Sequence, residues 1–83
     1  MKSSEIKIDV ELNENNLPTK INWSAQDGNV KDANAAAFLL SIWDSKEKNT
    51  MKVDLWTKDM SIEEMKQFFH QSLVSMADTF EKA

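Results

Sequence analysis

The longest uninterrupted pattern in the chain is a helix signal near its C-terminal end. Large apolar side chains recur there at spacings of three and four, at Ile62, Met65, Phe69, Leu73, Met76 and Phe80. At 100° per residue these positions share one narrow face of a helix, here called the stripe. No Gly or Pro interrupts the run, so the pattern predicts an amphipathic helix from 62 to about 81.

A capping box marks the start of this helix. Ser61 at the N-cap can accept from the Glu64 N–H, and the Glu64 carboxylate can return to the Ser61 N–H. Met60 is placed for a hydrophobic staple onto Met65. The N-terminal boundary of the helix is therefore the sharpest local prediction.

Alternation of apolar and polar residues precedes the helix and predicts strands. Turn-rich polar runs at 13–18, 26–29 and 44–50 separate them, and Gly28 is the only glycine of the chain. The predicted strands are 5–12, 19–25, 36–43 and 51–57.

Residues 30–43 carry conflicting signals. Helix propensity favours a helix over 30–37, whereas aromatic and branched side chains favour a strand over 38–43. A helix ending at Trp43 would leave the strand at 51–57 without its nearest partner. We therefore assign a helical turn or loop to 31–35 and a strand to 36–43, which makes a second hairpin.

The predicted order is β-β-β-β-α, an α+β fold with two hairpins in one four-stranded antiparallel sheet. The long C-terminal helix is expected to cover one face of that sheet. The 83 residues suffice for one core, so 1–83 is expected to be a single domain.

Apolar residues also fall on the sheet face that the helix is not expected to cover. If Phe38, Leu40 and Ile42 face the helix, with 42 opposite 53 and 40 opposite 55, then Leu39, Trp43 and Trp56 face away. Exposed apolar patches on small proteins mark partner sites, and Trp is enriched in binding hot spots. The alternatives are half-burial by loops or a one-residue register error, which would invert both faces.

Phe68 lies about 100° off the stripe at the edge of the predicted core. It either packs at a sheet edge or joins the interface of Leu39, Trp43 and Trp56. The four residues together are the predicted partner interface.

Composition excludes several classes of site. Net charge is −4 and no Arg is present, which argues against nucleic acid, because phosphate binding draws its affinity from cations. There is no Cys, the single His70 has no convergent ligands, and no glycine loop could hold a phosphate. No catalytic residue, metal or cofactor is predicted. No apolar run is long enough to span a membrane and the start lacks a secretory signal, so a cytoplasmic protein is expected.

Several stretches resemble the gliding-motility-associated GldC family of Bacteroidetes. They are 42–44, 52–60 and 68–80, with support from Ser4-Glu5-Ile6, Leu17-Pro18 and Trp23. The resemblance implies an accessory role in cell gliding, a cytoplasmic location and a link to the machinery shared with type IX secretion. It supplies no catalytic residue. The strand and helix order is also similar to that of the SecB export chaperone, a fold-level analogy.

Two functions are compatible with these observations. The first is a non-enzymatic adaptor or self-associating factor that uses the surface around Leu39, Trp43, Trp56 and Phe68. Its partner would be another protein, such as a gliding or secretion component, or a second copy in a homo-oligomer. The alternative is a small chaperone-like or peptide-holding module, suggested by the abundance of Met and Phe.

Overall fold

The computed structural model describes residues 2–83 as five strands followed by one helix. The elements are β1 (Ile6–Leu12), β2 (Pro18–Ala25), β3 (Val30–Ala35), β4 (Ala37–Asp44), β5 (Asn49–Trp56) and α1 (Ile62–Lys82). The strands form two antiparallel sheets, a three-stranded sheet in the order β1-β2-β3 and a hairpin of β4 and β5. The α+β class is confirmed, but the strands make two sheets and not one of four strands.

The additional strand, β3, replaces the helical turn or loop predicted at 31–35. It pairs with β2 through an irregularity in which Asp32 adopts a φ of 49°. The Asp32 N–H donates to Ser24 Oγ at 3.0 Å, which satisfies a backbone group that the irregular pairing frees. Pairing with β2 thus overrides the local helix propensity of this alanine-rich segment.

Side-chain acceptors shape the turns that connect the strands. Asn13 Oδ1 accepts from the N–H groups of Asn15 and Leu17, at 2.8 and 3.0 Å, and closes the β1–β2 loop. In the β2–β3 turn the left-handed conformation falls on Asn29, with φ 59°, and not on Gly28.

The β4–β5 turn is tighter than the sequence suggested. Asp44 Oδ1 accepts from the N–H groups of Lys46 and Glu47, at 2.9 and 3.1 Å, and the Lys48 N–H donates to the Asp44 carbonyl at 2.8 Å. Strand β5 therefore begins at Asn49, directly opposite Asp44. The register differs by two residues from the one predicted.

The two sheets are joined at the end of β5. The Ala36 carbonyl accepts from both the backbone N–H and the hydroxyl of Thr57, at 2.8 and 3.1 Å. The next residue, Lys58, donates its N–H to the Pro18 carbonyl at 3.1 Å. Thr57 is buried, so these bonds form a shielded junction between the hairpin and the start of β2.

The core of the single chain is small. Ile21, at 1% exposure, is the one fully buried hydrophobic residue among 2–83. It pairs with Val10 and Ala35 on the apolar face of the three-stranded sheet. The accessible surface is 7402 Å², whereas a compact monomer of this mass exposes about 5,000 Å². The radius of gyration is 14.8 Å, against about 12 Å for a compact domain of this length.

Helix α1 begins as predicted but does not cover a sheet with its stripe. Ser61 Oγ accepts from the Glu64 N–H at 3.1 Å and donates to Glu64 Oε1 at 3.4 Å, so the carboxylate meets the hydroxyl and not the predicted backbone N–H. No residue of α1 is fully buried, and only Met65, Phe68 and Ser72 are half-buried. The prediction that the stripe forms the inner layer is wrong.

Candidate protein-interaction surface

The hairpin places the two predicted Trp residues on the same face. Opposite residues of an antiparallel pair share a face, and the pairs are Ala37 with Trp56, Leu39 with Asp54, and Trp43 with Thr50. Parity was therefore predicted correctly, although each partner is displaced by two positions. Leu39, Trp43 and Trp56 lie on one face of the hairpin as expected.

Trp43 and Trp56 are both exposed, at 59% and 51%, but they are far apart. Trp56 pairs with the first residue of β4 and Trp43 lies beside the turn. Six residues of strand separate these positions, which corresponds to about 20 Å. The two indoles therefore do not form one continuous patch.

A polar pair occupies the middle of the same face. Lys52 Nζ lies 3.4 Å from Asp54 Oδ2, and both side chains are solvated. Exposed ion pairs of this type contribute little to stability. The pair separates Trp43 from Trp56 and divides the predicted interface.

The opposite face of the hairpin is also apolar and exposed. Predicted inward-facing residues Leu40, Ile42 and Val53 lie here with Met51 and are all exposed. Neither the helix nor the three-stranded sheet buries them. The assignment of Leu40, Ile42 and Val53 to the core is wrong, because the turn half of this face is open to solvent, whereas Phe38 and Leu55 at its other end are half-buried.

A cleft of about 690 Å³ lies between the three-stranded sheet, β4 and α1. Leu39 and Phe68 line it together, beside Ile21, Trp23 and Met76. Both are half-buried, so two of the four predicted interface residues meet here and not on an outer face. Phe68 packs towards the sheets, as one of the two alternatives for it proposed.

A separate groove, also of about 690 Å³, lies along the other side of α1. Trp56 forms its wall next to the stripe residues Met65, Phe69 and Leu73. Lys66 and His70 complete its rim. Four residues of the stripe line the groove, namely Ile62, Met65, Phe69 and Leu73.

The orientation of α1 explains why cleft and groove are separate. Phe68 and Ser72, which line the cleft, lie roughly 60–100° around the helix from the centre of the stripe. The flank of the helix therefore faces the sheets, with Met76 beside the cleft, and most of the stripe points away from them. Leu73, Met76 and Phe80 are exposed as a result.

Sequence reasoning missed the stripe as a surface. The available signal was that β4 is apolar on both faces, with Leu39 and Trp43 on one and Leu40 and Ile42 on the other. One helix covers at most one face of a sheet. A chain of this length with three apolar faces and a single helix cannot bury all of them alone.

Two further properties of the described residues concern metal binding and membrane crossing. Within 2–83 no three His, Asp or Glu side chains converge to hold a metal ion. Although α1 is 21 residues long, it is too polar to cross a lipid bilayer, and it is the one helix of the described range. The features that do stand out are apolar surfaces: the two hairpin faces, the cleft and the groove.

Comparison with known families gives an independent result. A family profile described as gliding motility-associated protein GldC-like matches residues 18–83. The chain belongs to the GldC-like family. The match runs from β2 through α1 and contains the groove, both Trp residues of the hairpin and every cleft residue except Ile8. It confirms the resemblance noted from the sequence.

No curated protein matches the chain. No solved structure matches it either. The similarity to SecB in element order therefore stays a prediction, and the fifth strand departs from it.

Proposed function

We propose that this GldC-like protein is a non-enzymatic accessory factor of gliding motility that acts in the cytoplasm by binding other proteins. Membership of the family supports the link to motility. The exposure of large apolar side chains on the hairpin supports the binding role, because such patches on soluble proteins mark partner sites.

The end of the hairpin is the proposed docking point for a gliding or secretion component. Trp43 is the largest side chain there, and a Trp anchor at the centre of an interface contributes strongly to affinity. The Asp44 turn holds β4 and β5 together beside it, so the indole is presented on an ordered strand. The single observation that carries this proposal is an exposed Trp on a projecting two-sided hairpin.

Substitution of Trp43 in a gliding cell tests the proposal. We expect Trp43→Ala to slow gliding and to abolish a photo-crosslink from a probe in the adjacent β4–β5 turn, at 45–48, to a specific motility protein identified by mass spectrometry. Met51→Ala is the matched control, since Met51 is equally exposed at 59% but lies on the opposite face. Gliding and crosslinks unchanged by Trp43→Ala would contradict the proposal, and cell fractionation tests the cytoplasmic location.

The cleft favours a second candidate function, the chaperone-like holding of extended peptide. Its volume of about 690 Å³ falls within the range of ligand sites, and its lining combines aromatic and Met side chains. A refolding assay separates the two functions: a holding module suppresses aggregation of an unfolded client, and Phe68→Ala weakens that effect. A chain without any such effect supports the adaptor alone.

A further inference from the structure

The stripe is an apolar face of α1 that the rest of the described chain leaves mostly exposed. Its exposed members are Ile62, Phe69, Leu73, Met76 and Phe80. They are contiguous on one helix face, and Phe80 reaches 81% exposure. An amphipathic helix normally buries such a face, since its stability comes mainly from that packing.

We infer that the stripe packs against the stripe of a second copy of this chain, giving a two-fold symmetric dimer through α1. The inference deepens the proposed function, on which it rests, by naming the partner of one apolar surface. In a two-fold contact the same patch of both copies meets itself. The hairpin end stays free for a different partner.

The surface area of the single chain fits a dimer. The 7402 Å² observed exceeds the surface of a compact monomer of this mass by about 2,400 Å². A standard stable interface takes about 800 Å² from each partner, and obligate dimers take more. The excess surface area is therefore large enough for an extensive contact with a second copy, with further exposed area remaining on the hairpin.

The distribution of charge also allows the stripes of two copies to pack against each other. The chain carries a net charge of −4, so two copies repel unless their contact surface excludes the acids. The groove contains no Asp or Glu, and its ionisable side chains are Lys66 and His70. Glu63 and Glu81 lie on the flank of the helix, about 100° from the stripe centre. Two stripes can meet without bringing acids together, and the long stem of Lys66 can reach solvent at the rim.

A second helix packed on the stripe would meet the groove, because Met65, Phe69 and Leu73 of the stripe line it. Packed helices lie about 8–10 Å apart, so a helix on the stripe would also reach Trp56 at the far wall of the groove. The contact would then cover Trp56 and leave Trp43 accessible. This difference between the two indoles is a specific consequence of the dimer.

Sedimentation equilibrium of the purified full chain over a wide range of concentration tests the inference. We expect a dimer for the unmodified protein. We expect Leu73→Lys to raise the dissociation constant by ~100-fold or more, since the two-fold axis places the added charge in the contact twice. Val74→Lys is the matched control: Val74 is 57% exposed and Leu73 is 62% exposed, but Val74 lies off the stripe. It should shift the constant less than about threefold.

Circular dichroism verifies that each variant keeps its helix, and Leu73→Ala, expected to weaken the dimer by about tenfold, replaces Leu73→Lys if that chain does not fold. In variants that retain one Trp, acrylamide quenching of Trp56 should fall as the dimer forms while quenching of Trp43 does not. A monomer at every concentration, or a dimer equally sensitive to the changes at 73 and 74, would overturn the inference. Neither result bears on the crosslink from the β4–β5 turn, so failure of the dimer and failure of the adaptor role are distinguishable.

Discussion

The three-stranded sheet and the β4–β5 hairpin are built from similar apolar residues but differ sharply in burial. In the sheet, Ile21 is fully enclosed, whereas Ile42 in the hairpin is exposed. In the sheet, the central strand β2 has a neighbouring strand on each side. One face of the sheet also lines the cleft, opposite β4 and α1. The hairpin has two edges, and towards its turn both faces carry exposed side chains. Equal hydrophobicity thus leads to a core in one region and to an exposed apolar surface in the other.

The largest expected effect contrasts the two isoleucines. We expect Ile21→Ala to lower the free energy of unfolding by about 3 kcal/mol, because it opens a cavity in the one closed part of the core. Ile42→Ala should cost less than about 1 kcal/mol, because the side chain is already hydrated. Urea unfolding at one fixed protein concentration measures both.

If Ile21→Ala does not fold, Ile21→Val, with an expected cost of about 1 kcal/mol, takes its place. Equal costs at positions 21 and 42 would show that the hairpin is buried in solution. The contrast between the two regions would then fail.

An intermediate effect compares two turns with the same chemistry. Asn13 and Asp44 each accept two backbone N–H bonds through Oδ1, one in each region. Removing either acceptor by substitution with Ala should cost about 1 kcal/mol. Asp44→Ala should release the hairpin locally, since an isolated two-stranded ribbon is marginally stable.

Amide hydrogen exchange distinguishes a local loss of stability in the hairpin from a loss of stability in the whole chain. After Asp44→Ala we expect protection to fall in β4 and β5 while β1 to β3 keep theirs. After Asn13→Ala protection should fall evenly across the chain. The same even loss in both variants would mean that the hairpin and the sheet unfold as one unit.

The smallest effect concerns the β2–β3 turn within the sheet. Gly28 has no positive φ, and a Cβ added to it would meet its nearest neighbour, Ala25 Cβ, at an ordinary 3.7 Å. Gly28→Ala should therefore stabilise the protein by about 0.5 kcal/mol, because it restricts the unfolded chain.

Asn29→Ala serves as the opposing control for that turn. Its φ of 59° is left-handed, so a Cβ without the Asn side chain should destabilise the turn by about 1 kcal/mol. Thermal unfolding measures whether each substitution raises or lowers the stability of the protein. A loss of stability in Gly28→Ala would contradict the turn geometry.

Local patterns predicted much of the chain. The alternation in β1, β2, β4 and β5 and the cap at Ser61 depend on near neighbours, and the structure places them within about two residues of the expectation. The parity of Leu39, Trp43 and Trp56 also followed from alternation alone. The resemblance to the GldC family came from short specific stretches and is confirmed.

What failed depends on contacts between distant segments. Residues 31–35 have helix propensity but pair with β2. The stabilisation from this pairing depends on a distant strand, so no local sequence pattern predicts it. The register of the hairpin moved by two residues because Asp44 closes a shorter loop than the polar run suggested. The two-residue shift preserved the faces, whereas an odd shift would have exchanged them.

By itself the sequence determined which residues share a face of each strand and of α1, because side-chain period follows from backbone geometry alone. Tertiary structure decided which of those faces are covered. The flank of α1 at Phe68 faces the sheets, most of the stripe is exposed, and the turn half of the hairpin is exposed on both faces. One short chain has too little surface to bury all of its apolar faces. Which of them are buried depends on contacts between distant segments, and the periodicity of the sequence contains no information about those contacts.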